Sequence, residues 1–170
     1  LKQSFLVSLY LAAIVAANLS VVAFGPPIVI VNAFVLISLD LTARDRLHAA
    51  WHNQGLAWKM TALIASGSLL SYALNASAGP IALASFVAFA VAAALDTLGY
   101  HLLRQRAYLV KVNGSNLVSA AADSLIFPTL AFGSFLPWIV LGQLVAKVAG
   151  GAIWAYLLRP RAPTVTSVEV

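Results

Sequence analysis

Two charges interrupt runs that are otherwise apolar. Asp123 stands in the middle of VSAAADSLIF, Val118 to Phe127, and Lys147 in the middle of the run that follows Pro137. A lone charge at the centre of a bilayer-spanning helix costs about 2.5 to 3.5 kcal/mol on insertion scales. At about 1.5 Å of rise per residue, each charge lies on the order of 12 to 15 Å from the ends of its run, too deep to snorkel easily to water. Adjacent antiparallel helices bring two such residues to similar depth, so the pattern predicts an Asp123–Lys147 pair facing a bundle interior. A purely structural ion pair would look the same, and the surroundings decide what more the pair could do.

Those surroundings are polar. Asn116, Ser119 and Asp123 are spaced three and four apart, with Phe127 four further on, which places one polar face beneath an aromatic ring. Gln143, Lys147 and Trp154 share a face of the last run. Phe89, Asp96 and Tyr100 form a stripe on the fourth, Asn32, Leu36 and Asp40 on the second, and Asn18 lies in the first. So much amide and carboxylate at depth predicts a polar cavity roofed by aromatics, the usual form of a small-molecule site. A flat, hydrogen-bonding compound suits it. Asp123 would accept from its donor edge, with Lys147 balancing the charge, Asn116, Ser119 and Gln143 completing the polar shell, and Phe127 or Trp154 stacking. Asn32, Asp40 and Asp96 are further candidate contacts.

The elements that must position these groups follow from composition. Of the 170 residues 62% are hydrophobic and 9% charged, and mean hydropathy is +0.94, far from the balance of a soluble domain. The runs are continuous in Ala, Leu, Val and Ile and do not alternate with period two, which argues for helices over a barrel. Six helices are expected: about Gln3 to Phe24, from Pro27 to about His48, Gly55 to Leu74, Pro80 to Leu103, Ser115 to Phe132 and Trp138 to Leu158. Gly, Pro, Asn or charge bounds each of them. Residues 1–158 form one six-helix domain on this reading, and 159–170 a polar, Pro-interrupted tail.

Charge tests the count independently. Lys2, Arg44, Arg46, Lys59, Arg104, Arg106, Lys111, Arg159 and Arg161 fall at the amino end, the second and fourth connections or the carboxyl end. The other connections hold no Lys or Arg. By the positive-inside rule this predicts an all-α, polytopic inner-membrane protein with six crossings and both termini in the cytoplasm. The net charge of +5 is then an orientation signal and gives no reason to expect nucleic acid as a partner. Lys2 and the run after it resemble a signal peptide, but the run is long for a signal core and its removal would spoil the alternation.

Other motifs are weaker. With no cysteine, disulfides and thiol chemistry are excluded. His48 and His52 have helical metal-pair spacing without an evident third ligand, so neither metal nor cofactor is expected. Asp40 and Arg44 are an i, i+4 pair that fits a solvated bridge at a helix end as well as a gate. No GxxxxGK[ST] phosphate loop occurs and no Ser, His and Asp lie at one depth, which argues against an enzyme. Three helices followed by three would run in opposite orientation, with Asp40 and Asp123 as rough counterparts.

Three segments carry a resemblance. LISLDLTARDRLH (Leu36 to His48), LRQR (Leu103 to Arg106) leading to SNLVSAAADSLIFPTLAF (Ser115 to Phe132), and the segment around Lys147 resemble the putative vitamin uptake transporter family. The Asp-Ser-Leu-x-Phe core at Asp123 to Phe127 is its most specific piece, and Asp40, Thr42, Asp123 and Lys147 are the matching positions. The resemblance implies six helices and uptake of a deazapurine such as a queuosine precursor. Two other classes fit the same residues: a substrate-capturing subunit that works with a separate ATPase, and a structural or pore-forming membrane protein. Loss of uptake on ATP depletion marks the first, absence of any ligand the second. Whether the chain acts alone or as a homo-oligomer is not encoded in these patterns.

Overall fold

Runs rich in Ala and Leu have strong helix propensity, and a lipid environment leaves the backbone, at the valines too, no partners but its own. The computed structural model describes residues 3–51, 55–103, 105 and 108–157. Lys2, His52, Arg104, Arg106, Leu158 and the tail 159–170, on which parts of the charge and metal-pair readings rest, lie outside the described residues, as do the side chains of His48, Tyr100, Lys111 and Asn116.

Among the described residues there are six helices and no strand. Helix α1 is Gln3–Phe24. Helix α2 consists of three consecutive pieces, an α-helical Ile28–Asn32, a π-helical Ala33–Ile37 and an α-helical Ser38–Trp51. Helix α3 is Leu56–Leu74, α4 is Gly79–Leu102, α5 is Tyr108–Phe132 and α6 is Pro137–Leu157. Gly25 and Gly133, with φ of 73° and 65°, make the sharp turns from α1 to α2 and from α5 to α6. Only glycine takes that left-handed backbone cheaply.

The structure adds to expectation at α5 and within α2, which also runs on to Trp51. Helix α5 begins at Tyr108, seven residues before Ser115, because Asn113 and Gly114 do not break it. A Cβ at Gly114 would lie 2.8 Å from Leu103 Cδ1, so the glycine serves the close α4–α5 hairpin and not a turn. The π-helical insert in α2 was not foreseen at all, and its consequence for the site is described below.

The helices close into a ring in the order α1, α3, α4, α5, α6, α2. Two apolar clusters fill its ends. One joins Leu6, Tyr10 and Ile14 of α1 with Leu47 and Trp51 of α2, Leu63 of α3 and Phe89 of α4. The other joins Val21, Val29, Ile81 and Ile139, with Phe127, Phe132 and Leu136 packed against them near the two glycine turns.

Between the clusters the buried residues are polar, and the outer faces are apolar. On α6, Gln143 and Lys147 are 2% and 3% exposed, whereas Val145 and Val148 between and beside them are 68% and 56% exposed. That inverts the arrangement of a protein in water and is the arrangement lipid demands. Three stretches, Gln3–Phe24, Ala76–Asp96 and Pro137–Trp154, are long and apolar enough to cross a membrane. The protein is a helical membrane protein.

Candidate substrate cavity

The site begins with the pair of charges. Lys147 Nζ donates to Asp123 Oδ2 and, at 2.9 Å, to Ser124 Oγ, and all three residues are buried. The antiparallel packing of α5 and α6 brings them to one depth, as the sequence predicted. Pro128, inside α5 and buried, has no N–H for the Ser124 carbonyl, so the helix lacks one backbone hydrogen bond beside the pair.

Helix α6 is drawn tightly onto α2 at the same level. A Cβ at Gly150 would lie 2.2 Å from the Phe34 carbonyl oxygen, and one at Gly142 would lie 2.5 Å from Ile30 Cδ1. The Ser38 hydroxyl donates to the Ala33 carbonyl at 2.6 Å and lies 3.3 Å from the carbonyl of Lys147. The wider π-turn changes which backbone carbonyls find partners along the helix, and the indole N–H of Trp154 donates to Val35 O at 2.9 Å.

Beside the pair is a cavity. Its wall takes Ala17, Asn18 and Val21 from α1, Val29, Asn32 and Ile37 from α2, Ser85 and Phe89 from α4, Asp123 and Phe127 from α5, and Gln143 from α6. It is narrow. A water's centre has about 30 Å³ in which to move, where one water needs roughly 10–15 Å³, so a planar ring can enter only if the walls part. Phe127 meets Phe132 edge to face, with centroids 6.4 Å apart, and closes the end toward the glycine turns.

Two further spaces continue from the other side. A throat, with about 10 Å³ for a water's centre, shares Asp123 and Phe89 with the cavity and adds Arg44, Leu41, Ala92, Ser119, Ala120 and Lys147. A vestibule of about 470 Å³ shares Leu41, Arg44, Ser119, Ala120 and Lys147 with the throat and adds Thr42, Leu117, Val148, Gly151 and Ala152. Asp123 of the pair lines both the cavity and the throat, and Lys147 lines both the throat and the vestibule. Tyr10, almost wholly buried, lies within electrostatic reach of Asp40, Arg44 and Asp123.

The remaining expected residues are placed as follows. Asn32 faces the cavity, but Ile37 follows it on the wall in place of Leu36, because a π-turn takes about one residue more than an α-turn. Asp40 and Arg44 are 1% and 5% exposed, and α2 continues past them to Trp51, which removes the reading as a solvated surface pair. Ser119 lines the throat and vestibule. Asp96 is partly buried on α4, one turn beyond Ala92 and outside the cavity wall, with Oδ1 unpartnered. Trp154 is also away from that wall, acting as a strut to Val35. Ser124, Ser38 and Ser85 were not anticipated. Only Ser85 had a signal, standing four residues before Phe89 on the Asp96 stripe.

A ring of helices with apolar outer faces thus surrounds a cavity whose wall carries two asparagines, a serine, a glutamine and a carboxylate. The chain belongs to the putative vitamin uptake transporter family, whose family model matches residues 6–158. No curated protein and no solved structure matches the chain.

Proposed function

We propose that the protein is a multi-pass inner-membrane importer with six crossings and cytoplasmic termini, carrying a small nucleobase-like compound of the 7-deazaguanine type. The observation that carries this reading is the Asp123–Lys147 pair at the junction of the cavity and the throat. A substrate site needs an acceptor held ready beside a space that a ligand can fill, and Asp123 is placed so. Lys147 and Ser124 occupy one side of the pair, and the bridge leaves Asp123 Oδ1 for a ligand's N–H. Phe127 and Phe89 supply faces against which a flat ring can lie.

The series of spaces suggests the direction of travel. The Phe127, Phe132 and Leu136 cluster lies near the glycine turns, and the throat, which shares Asp123 and Phe89 with the cavity, lies toward the opposite end of the bundle. Positive-inside placement makes that opposite end cytoplasmic. Substrate entering from outside would have to part the aromatic cluster, and substrate leaving would have to pass Lys147.

The test is uptake of 7-cyano-7-deazaguanine into vesicles containing the wild-type protein or Asp123→Asn. Loss of uptake in a correctly inserted variant supports the assignment. Wild-type rates in that variant would falsify it.

A further inference from the structure

The cavity wall holds five polar side chains, and four are already engaged. Asn18 donates from Nδ2 to Ser71 Oγ at 3.1 Å and accepts at Oδ1 from Ser85 Oγ at 2.6 Å. Asn32 donates from Nδ2 to Ser20 Oγ at 2.8 Å and to Ala17 O at 3.2 Å. Asp123 receives Lys147. Gln143 is different: it is 2% exposed, it lines the cavity, and its Nε2 is buried with no hydrogen-bond partner in the protein.

A buried amide left without an acceptor is costly, and native proteins leave few of them. Gln143 has no route to lipid. Ile139, Ala146 and Lys147, its neighbours one turn away on α6, are all buried, so this face points to the bundle centre. The close approach at Gly142 to Ile30 fixes the helix there. The missing acceptor is therefore best supplied from the cavity.

We propose that Gln143 recognises a ring carbonyl of the transported compound, making the site selective for planar lactams, with Asp123 taking the neighbouring ring or amine N–H. This inference rests on the nucleobase reading above and adds the part of the ring edge that is read. A carboxylate only accepts, and the orphaned Nε2 of Gln143 only donates. Their complement is a carbonyl next to N–H groups. Asn18 and Asn32 shape the wall and leave recognition to these two.

The experiment is a double cycle between protein and ligand, on the full chain purified in detergent. Affinities for 7-deazaguanine, its analogue without the carbonyl (7-deaza-2-aminopurine) and its analogue without the exocyclic amine (7-deazahypoxanthine) are measured for wild type and Gln143→Leu. Wild type is expected to prefer 7-deazaguanine over the carbonyl-free analogue by about 10- to 100-fold. In Gln143→Leu that preference falls by about tenfold, the remainder coming from the ring N–H that is lost with the carbonyl and that Asp123 accepts, while the preference over the amine-free analogue stays at its wild-type value. A variant that still discriminates against the carbonyl-free analogue as wild type does overturns the inference, and water is then the partner of Gln143. Should Gln143→Leu fail to fold, Gln143→Met keeps the length of the side chain without its donor and carries the same expectation. If wild type binds none of the three, the nucleobase reading itself fails and takes this inference with it, a result distinct from unchanged selectivity.

Discussion

Lys147 and Asp123 illustrate how much of a membrane site is readable one residue at a time. Either alone is expensive at mid-membrane depth, so their mutual pairing followed from position and was found. Breaking a buried pair from one side leaves an uncompensated charge, at a cost of about 3–5 kcal/mol. Lys147→Met is therefore expected to lower the thermal midpoint in detergent clearly, and Lys147→Met with Asp123→Leu to recover most of the loss, because two apolar groups replace two charges. Neither protein should transport. An equal loss of stability in the single and double variants would show that the pair is not what holds α5 to α6. Residues whose role depends on a neighbour's exact placement were less legible. Ser124 is one serine among many until Lys147 is seen donating to it, and the Trp154 indole, expected to stack on substrate, instead reaches the backbone of α2.

At the scale of elements, existence and order of the six helices were legible from apolar length and from breakers such as Gly25, Pro26 and Gly133. Internal irregularity was not. The π-helical Ala33–Ile37 leaves no mark in composition, since Ala, Phe, Val, Leu and Ile serve an α-helix as well. It nevertheless decides that Ile37 and not Leu36 lines the cavity. The close seat of α6 against this segment gives a sharp contrast between adjacent glycines. A methyl at Gly150 meets the Phe34 carbonyl and the Ser38 side chain, whereas one at Gly151 meets nothing within 4 Å. Gly150→Ala is expected to destabilise by about 1–3 kcal/mol through overpacking and to reduce uptake. Gly151→Ala should be close to neutral, with the gain of helix propensity offsetting any small loss. Unfolding midpoints and uptake rates of the two variants check this, and identical behaviour would contradict the close approach of α6 to α2.

For the whole molecule, the decisive feature is inverted polarity: valines and leucines outside, amides and charges within. Composition announced the membrane, and the periodic polar stripes announced a cavity. The clusters at the two ends of the ring, and the throat that shares Asp123 with the cavity, depend on which helices neighbour which, and no local pattern carries that information. Orientation is open to direct test because the chain has no cysteine. A single cysteine at exposed Ser134, in the α5–α6 turn, should react with an impermeant thiol reagent added to intact cells. One at exposed Gln105, between α4 and α5, should react only after the membrane is opened. The reverse pattern would invert the assignment of the vestibule to the cytoplasm.

The central claim is that the carboxylate of Asp123, held by Lys147 at the cavity's edge, binds the transported compound. Uptake of 7-cyano-7-deazaguanine by vesicles carrying equal amounts of inserted wild-type or Asp123→Asn protein tests it most directly. Saturable uptake by wild type and background uptake by the variant is the predicted result. Equal uptake by both, or none by wild type, would contradict the account.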